Sequence, residues 1–241
     1  MTLNNKLVLI TGAAQRVGRS LALTVARAGG DVVIHFGRSE ADAKSLFAEI
    51  EAMGRKVYLL QADLNDPKQV ERLVPRAYEH GPLFALVNNA AIFESLTWET
   101  STLEDWNRHL MVNLTVPFLL SQAFARLLPQ SEIGRIINLL DWRALRPGAD
   151  HLPYTISKSA LATLTQSLAI AFAPRITVNG LALGAVLPPT DTAVPQKIIE
   201  KVPAGRWADL DEVSQTLLFL LEGPAYITGE IIHVDGGRHL I

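Results

Sequence analysis

Three residue types that together can move protons fall close to one another near the middle of the chain. An apolar, β-branched run, Arg135-Ile136-Ile137-Asn138-Leu139-Leu140, ends in Asp141, and Tyr154-Thr155-Ile156-Ser157-Lys158 then opens a long apolar stretch. In a helix, Tyr154 and Lys158 at i and i+4 share one face. An ammonium within ~4–6 Å favours a phenolate, so Lys158 is expected to draw the Tyr154 hydroxyl down from its ordinary ~10. A tyrosine so placed can donate or accept a proton. If the strand end bearing Asp141 abuts the start of the helix, a carboxyl group completes the cluster. The same spacing also fits a half-buried core tyrosine beside a lysine reaching to water, so the surrounding elements must decide.

Those elements alternate. Residues 6–10 read as a buried strand, and Thr11-Gly12-Ala13-Ala14-Gln15-Arg16-Val17-Gly18 as a tight turn opening a helix to about residue 28. Glycines there let backbone approach a ligand, and the helix N-terminus offers free N–H groups and a positive dipole end to phosphate. A second strand (31–36) and helix (39–53) follow, joined by Gly37-Arg38-Ser39 where an adenosine ribose would lie. No carboxylate stands there to hold a free 2′-hydroxyl. Arg38 suits a 2′-phosphate and Ser39 can donate to it, which favours NADPH over NADH. A third strand (57–61) leads to Asp63 and Leu64 at the expected adenine edge. After a helix over 66–80, a fourth strand (84–87) runs into Asn88-Asn89-Ala90-Ala91. A long helix over 103–128 carries Asn113 and Pro117, and the proline is expected to kink it and free carbonyls for water or a side chain.

Beyond the Tyr154 helix, which is expected to end near residue 172, come a strand at 176–182 and an irregular, proline-rich segment over 183–205. Its length suits a substrate lid. A helix at 209–221 and a strand at 230–234 close the pattern. Strand and helix alternate without a linker, repeat or low-complexity break. One α/β domain over 1–241 is therefore expected, doubly wound around a parallel sheet of about seven strands, with ligands beyond the carboxyl ends of the strands.

Composition narrows the partners. With 49% hydrophobic and 19% charged residues the chain can bury a large core, and its formal charge of -2 gives no electrostatic reason for nucleic acid or an anionic membrane. The chain has no cysteine, so disulfides and thiolate metal sites are excluded and no metal is expected. The first strand begins too early to leave room for a signal peptide, and no apolar stretch is expected to approach the ~18 residues of a membrane span. A cytoplasmic protein acting on a small molecule is the resulting expectation.

Taken together, Thr11-Gly12 through Gly18, Asn88-Asn89-Ala90, Asn113, Tyr154 and Lys158 resemble the short-chain dehydrogenase/reductase family over essentially the whole chain. The resemblance implies that Tyr154 donates the proton, Lys158 binds the nicotinamide ribose and lowers the tyrosine pKa, and Asn113 supports a proton-relay water. It also implies cofactor contacts at Gly12, Arg16, Val17, Gly18, His35, Arg38, Ser39, Asp63, Leu64, Asn89, Ala90, Tyr154, Lys158 and Gly184. Most family members have Pro-Gly after the sixth strand, where this chain has Leu183-Gly184. The loop beyond it, through Val186-Leu187-Pro188-Pro189, would set the breadth of the pocket.

Two further departures are informative. Arg16 replaces a third glycine and Asp141 replaces a serine; both resemble the pteridine reductase branch, as do Phe93 beyond the Asn-Asn-Ala motif and His35-Phe36-Gly37-Arg38-Ser39. That resemblance implies an NADPH-dependent reduction of a dihydropterin, with biopterin or dihydrofolate as further substrates. Arg16, Phe93, Asp141 and Tyr154 would then contact the substrate. Phe93 would stack a flat heterocycle against the nicotinamide, worth ~0.5–1.5 kcal/mol beyond buried area. Two other readings stay open: a carbonyl reductase of the 3-oxoacyl or small-ketone type, and a non-catalytic NADP(H)-sensing protein. Aromatic residues near strand ends mostly serve packing, which leaves Trp98 and Trp142 outside the expected site. The family also implies a homotetramer, with Ile231-Ile232 and Leu240-Ile241 as apolar interface surface.

Overall fold

Strands that are apolar along their whole length must be covered on both faces. β1 (Leu7–Ile10) and β2 (Asp31–Phe36) are buried at every position, and β5 (Gly134–Asp141) and β6 (Ile176–Leu183) at all but the last. With β3 (Val57–Gln61), β4 (Leu83–Asn88) and β7 (Ile231–Val234) they form one parallel sheet in the order β3-β2-β1-β4-β5-β6-β7. The computed structural model describes residues 3–187 and 196–241. One face of the sheet carries α1 (Arg16–Arg27), α2 (Glu40–Ala52) and α8 (Leu210–Glu222). The other carries α3 (Pro67–Tyr78), α5 (Val116–Leu127) and α6 (Leu152–Phe172). Two shorter helices, α4 (Leu103–Leu110) and α7 (Gln196–Ile199), precede α5 and α8. This is the expected single doubly wound α/β domain with seven parallel strands. The winding direction reverses between β1 and β4, which opens a crevice at their carboxyl ends.

Several expectations change. The helix over 103–128 is split by a π-helical turn, Met111–Thr115, and the irregularity lies just before Pro117 rather than at it. Pro117 has no N–H to give to the Asn113 carbonyl four residues back, and the chain widens there. Counted through this turn, Leu103–Leu127 is long and apolar enough to cross a membrane by length and composition, contrary to the expectation that no stretch is. In this fold Val112, Val116, Leu120 and Phe124 pack into the core. The segment over 183–205 contains α7 rather than being irregular throughout, while Pro188 and Pro189 lie outside the described residues. Ile231 sits in the core and supplies no free surface, contrary to expectation, while Ile232 packs only partly against the core.

A buried polar chain ties the site-bearing elements together. Asn88 on β4 donates to Asn138 on β5 (2.8 Å), which donates to Thr165 on α6 (2.9 Å), which donates to the Leu161 carbonyl (2.8 Å). A buried amide without partners costs free energy, so α6 is held at one height on the sheet.

His35, at the end of β2, is the support under the turn that precedes α1. Its Nδ1 accepts from the Gly12 N–H (3.1 Å), and its Nε2 faces the Ala62 carbonyl (3.1 Å), which requires the neutral ring with the proton on Nε2. Burial holds the imidazole down from 6.5 to about 4, the Ala62 bond opposing this. Between those values the unfolded chain takes up a proton that the folded chain refuses. The contribution is therefore intact above pH 6.5 and is lost as pH falls towards 4, by about 3 kcal/mol at the limit. We expect urea denaturation at pH 7 and pH 4.5 to show that loss in wild type and a smaller one in His35→Gln. An equal loss in both proteins would count against His35 as its source.

Candidate active site

The glycine turn is prebuilt by its neighbours. Asn89 donates through Nδ2 to the Thr11 carbonyl (2.8 Å) and the Gly12 carbonyl (3.1 Å). The Thr11 hydroxyl accepts from the N–H groups of Asn89 and Ala90, both at 3.0 Å. Gly12 has φ +61, and a Cβ on Gly18 would stand 2.3 Å from the Gly12 oxygen, so both positions need glycine. Gln15 gives α1 no side-chain cap, which leaves the first N–H groups of this twelve-residue helix, including those of Val17 and Gly18, available to an anion. At the end of β2, Arg38 is exposed, and neither its guanidinium nor the Ser39 hydroxyl is hydrogen-bonded among the described residues. Asp63 accepts from the backbone and side chain of Asn65 (2.9 and 3.2 Å), shaping the edge beyond β3, while Leu64 turns into the core. The structure thus arranges the predicted nucleotide residues along one crevice. Within it, His35 and Asn89 build the turn, and Leu64 can offer a ligand only backbone. Gly184 is needed for packing, because a Cβ there would stand 2.5 Å from the Asp235 Cα.

The proton-handling residues meet as expected, but with a different charge balance. The Tyr154 hydroxyl donates to Asp141 Oδ2 (3.2 Å), and Asp141 Oδ1 accepts from the Arg143 N–H (2.9 Å). Burial first, then the Asp141 charge and hydrogen bond, holds the Tyr154 phenol well above its ordinary 10. Burial likewise raises the Asp141 carboxyl, against the N–H and charge of Arg143, the charge of Lys158 and the Tyr154 bond. Lys158 lies 5.8 Å from the Tyr154 ring centroid and donates to the Leu139 carbonyl (2.6 Å). Burial draws its ammonium down to about 8, with Asp141 opposing. The expectation that Lys158 lowers the phenol is therefore corrected for this arrangement. Desolvation and a neighbouring carboxylate outweigh the one opposing charge, that of Arg143, so Tyr154 is kept protonated.

Asn113, fully buried in the π-helical turn, donates to the Ile92 carbonyl (3.0 Å) and the Ser157 hydroxyl (3.1 Å) and accepts from the Ile92 N–H (2.9 Å). Its amide is thereby committed to pinning the segment before Phe93. Ser157 completes the link by donating to the Tyr154 carbonyl (2.7 Å). Ser157 escaped the sequence reading, although it lies one turn beyond Tyr154 on the same helix.

Phe93 is 54% exposed and belongs to a wall of the site, not to the core. Its ring meets Tyr154 edge-on (4.7 Å, 80°) and stacks on His151 (4.1 Å, 17°). His151 is in turn held by the Glu94 carbonyl at 2.8 Å from its Nδ1. Arg143 lies 5.9 Å from the Phe93 ring centroid, 3.6 Å from Asp141 and 2.9 Å from Asp150. Trp142, expected to be packing, has the guanidiniums of both Arg143 (4.9 Å) and Arg238 (4.3 Å) over its ring. None of Arg143, His151 and Arg238 carries a sequence motif; only the folding of the loop after β5 and of the C-terminal turn places them here.

A crevice for a nucleotide beside a Tyr-Lys-carboxylate cluster defines a class of nicotinamide-linked oxidoreductase. The family described as short chain dehydrogenase matches residues 6–199, and the chain belongs to it. Among solved structures it is similar to FolM alternative dihydrofolate reductase 1 from Brucella canis complexed with NADP, at 35% identity and TM-score 0.93 over 100% of this chain and 97% of that one. A short chain dehydrogenase from Burkholderia cenocepacia in complex with NADP is 35% identical, with TM-score 0.93, over 99% of both chains. The 3-oxoacyl-[acyl-carrier-protein] reductase FabG of Aquifex aeolicus is 35% identical over 245 aligned positions, spanning 98% of each chain.

Where most of that family has a third glycine, Arg16 adopts φ 52. The left-handed region costs a side-chain-bearing residue ~1–2 kcal/mol, and such strain persists where the position is over-determined. In an ordinary helix alanine exceeds glycine by ~1 kcal/mol. At position 16 we expect the order to invert, Arg16→Gly being more stable than Arg16→Ala in urea denaturation. The usual order would mean that the backbone there is not strained.

Proposed function

We propose that this chain is an NADPH-dependent pteridine reductase that reduces the C=N bond of a dihydropterin, with biopterin and dihydrofolate as further substrates. The observation that carries the reading is the carboxyl group of Asp141 bonded to the Tyr154 hydroxyl, with Phe93 edge-on beside them. The likeness to FolM alternative dihydrofolate reductase 1 supports it. The residues present suit the cofactor: an uncapped helix end behind two obligatory glycines, and Arg38 with Ser39 open at the end of β2 for a 2′-phosphate.

When bound, the nicotinamide supplies a hydride to carbon. The protein must bring a proton to the adjacent nitrogen, and Tyr154 holds it there because burial and Asp141 keep the phenol neutral. Asp141, whose side chain is 15% exposed, links the phenol to solvent and can replace the proton that Tyr154 gives up. Lys158 uses one of its three N–H donors on Leu139, leaving two for a ribose hydroxyl. Asn113 fixes Ile92 and hence Phe93, the wall against which a flat ring stacks; Arg16 lies at the phosphate end of the crevice and contacts the pterin edge. The segment over 183–205 borders the substrate.

A carbonyl reductase of the 3-oxoacyl type is the second reading, favoured by the Aquifex relative. The meeting of Tyr154, Lys158 and Asp141 in one cluster argues against a purely sensing protein. In a ketone reductase Asp141 merely replaces an orienting serine. NADPH oxidation with 7,8-dihydrobiopterin and, separately, an acetoacetyl thioester separates the two. We expect pterin turnover that falls by about 100-fold or more in Asp141→Ser. Turnover of the thioester alone, kept or raised in the variant, would leave only the family standing.

The same reading makes the protein a cytoplasmic homotetramer. Phe118 and Leu127 on α5, Ile170 on α6, and Leu240 and Ile241 at the C-terminal end are exposed apolar side chains that association would bury. Light scattering at micromolar concentration should give four times the monomer mass; the monomer mass would contradict this.

A further inference from the structure

One cation beside the candidate active site has no role in the proton chemistry above. Arg238 begins a short turn, Arg238–Leu240, that is carried back towards β5 after β7. Gly236 (φ 62) and Gly237 (φ 84) turn the chain, and Asp235 locks it by accepting from the N–H groups of Gly237 (3.0 Å) and His239 (2.8 Å). The result places the Arg238 guanidinium 4.3 Å from the Trp142 ring centroid, next to Arg143 at 4.9 Å from the same ring.

The acids nearby are already engaged. Asp141 bonds Tyr154 and the Arg143 N–H, Asp150 pairs with Arg143, and Asp235 holds His239 and its own turn. The Arg238 N–H donates to the Asp235 carbonyl (3.2 Å), but its guanidinium has no hydrogen bond or ion pair among the described residues, and Arg143 Nε is buried without a partner. Burial first, then the neighbouring Arg143 charge, disfavours the charged form of Arg238, against the charges of Asp141, Asp150 and Asp235. A partly desolvated guanidinium held over an indole, within the field of nearby carboxylates but bonded to none of them, keeps its N–H donors for an anion.

We propose that Arg238, with Trp142 and Arg143, forms an anion subsite that selects substrates whose flat ring carries a carboxylate-bearing tail. The proposal rests on the pteridine reading and deepens it: folate-type substrates are preferred over pterins with a neutral side chain. Phe93 and Asp141 take the ring, and Arg143, 5.9 Å from the Phe93 ring and 4.9 Å from the Trp142 ring, continues the cationic surface towards Arg238, so a tail leaving the ring meets both guanidiniums. A phosphate on the arm of an acyl thioester offers the same charge, and the test includes it.

Tryptophan-fluorescence titration of the full chain uses p-aminobenzoyl-L-glutamate, its neutral diamide and 4′-phosphopantetheine. We expect the diacid to bind about 10-fold more tightly than the diamide, the preference to vanish in Arg238→Gln and to return in part in Arg238→Lys. In turnover, the ratio of kcat/KM for 7,8-dihydrofolate to that for 7,8-dihydrobiopterin should fall about 10-fold in Arg238→Gln. Equal binding of diacid and diamide by the wild type, or an unchanged ratio in Arg238→Gln, overturns the subsite. Tight binding of 4′-phosphopantetheine in place of the diacid overturns the carboxylate assignment. If neither pterin is reduced, the pteridine reading fails by itself, and the titration, which needs no turnover, still decides on the subsite.

Discussion

A single partly buried hydrogen bond, from the Tyr154 hydroxyl to the Asp141 carboxyl, is the constraint around which this structure is arranged. Asp141 makes the buried Tyr154 phenol harder to ionise, because two negative charges cannot be held together out of water, while the phenol's hydrogen bond favours the carboxylate against the burial that raises it. The pair retains a proton that either residue alone would hold differently. Keeping it requires a strand end and a helix start at fixed separation. The eight-residue register of β5 against β6 and the Asn88-Asn138-Thr165 chain supply that separation. Lys158, sunk beneath the pair and bonded to the Leu139 carbonyl, contributes positive charge without displacing the proton.

Preorganisation recurs in the nucleotide crevice. The turn before α1 is held from two sides, by Asn89 and Thr11 on the β4 side and by His35 on the β2 side. Little of its geometry depends on a ligand, so little ordering cost falls on binding. Arg16 is the exception to this economy of conformation, a side chain kept where glycine would fit more easily. The simplest physical reason to retain it is what its guanidinium does beyond the backbone.

The substrate side is assembled from distant parts of the chain. Phe93 follows β4, Trp142 and Arg143 follow β5, His151 precedes α6, and Arg238 arrives after β7. Asn113 joins them indirectly: the π-helical turn that Pro117 permits presents its amide to Ile92 and Ser157 at once. A defect in one helix thus fixes the aromatic wall of a pocket on the neighbouring loop. Such irregularities concentrate at functional sites because regular helices expose no spare groups.

The alternation of buried runs and helical stretches, read from the amino acids alone, determined the doubly wound sheet, its seven strands and most element boundaries to within two residues. Continuous apolar strands admit few other arrangements. The meeting of Asp141, Tyr154 and Lys158 was likewise legible, since two lie a helical turn apart and the third ends the preceding strand. Other features were decided only by the tertiary structure. The direction in which Tyr154 titrates depends on burial and on which charge lies closer, neither of which is local in sequence. The position of the helix break depends on where Asn113 finds partners, and α7 interrupts a segment whose prolines suggested irregular chain throughout. Arg143, His151 and Arg238 look like ordinary polar loop residues until the loop after β5 and the C-terminal turn fold over the same indole and phenyl rings. Local patterns set which backbone can form, whereas side-chain chemistry in a site is set by neighbours that only the folded chain supplies.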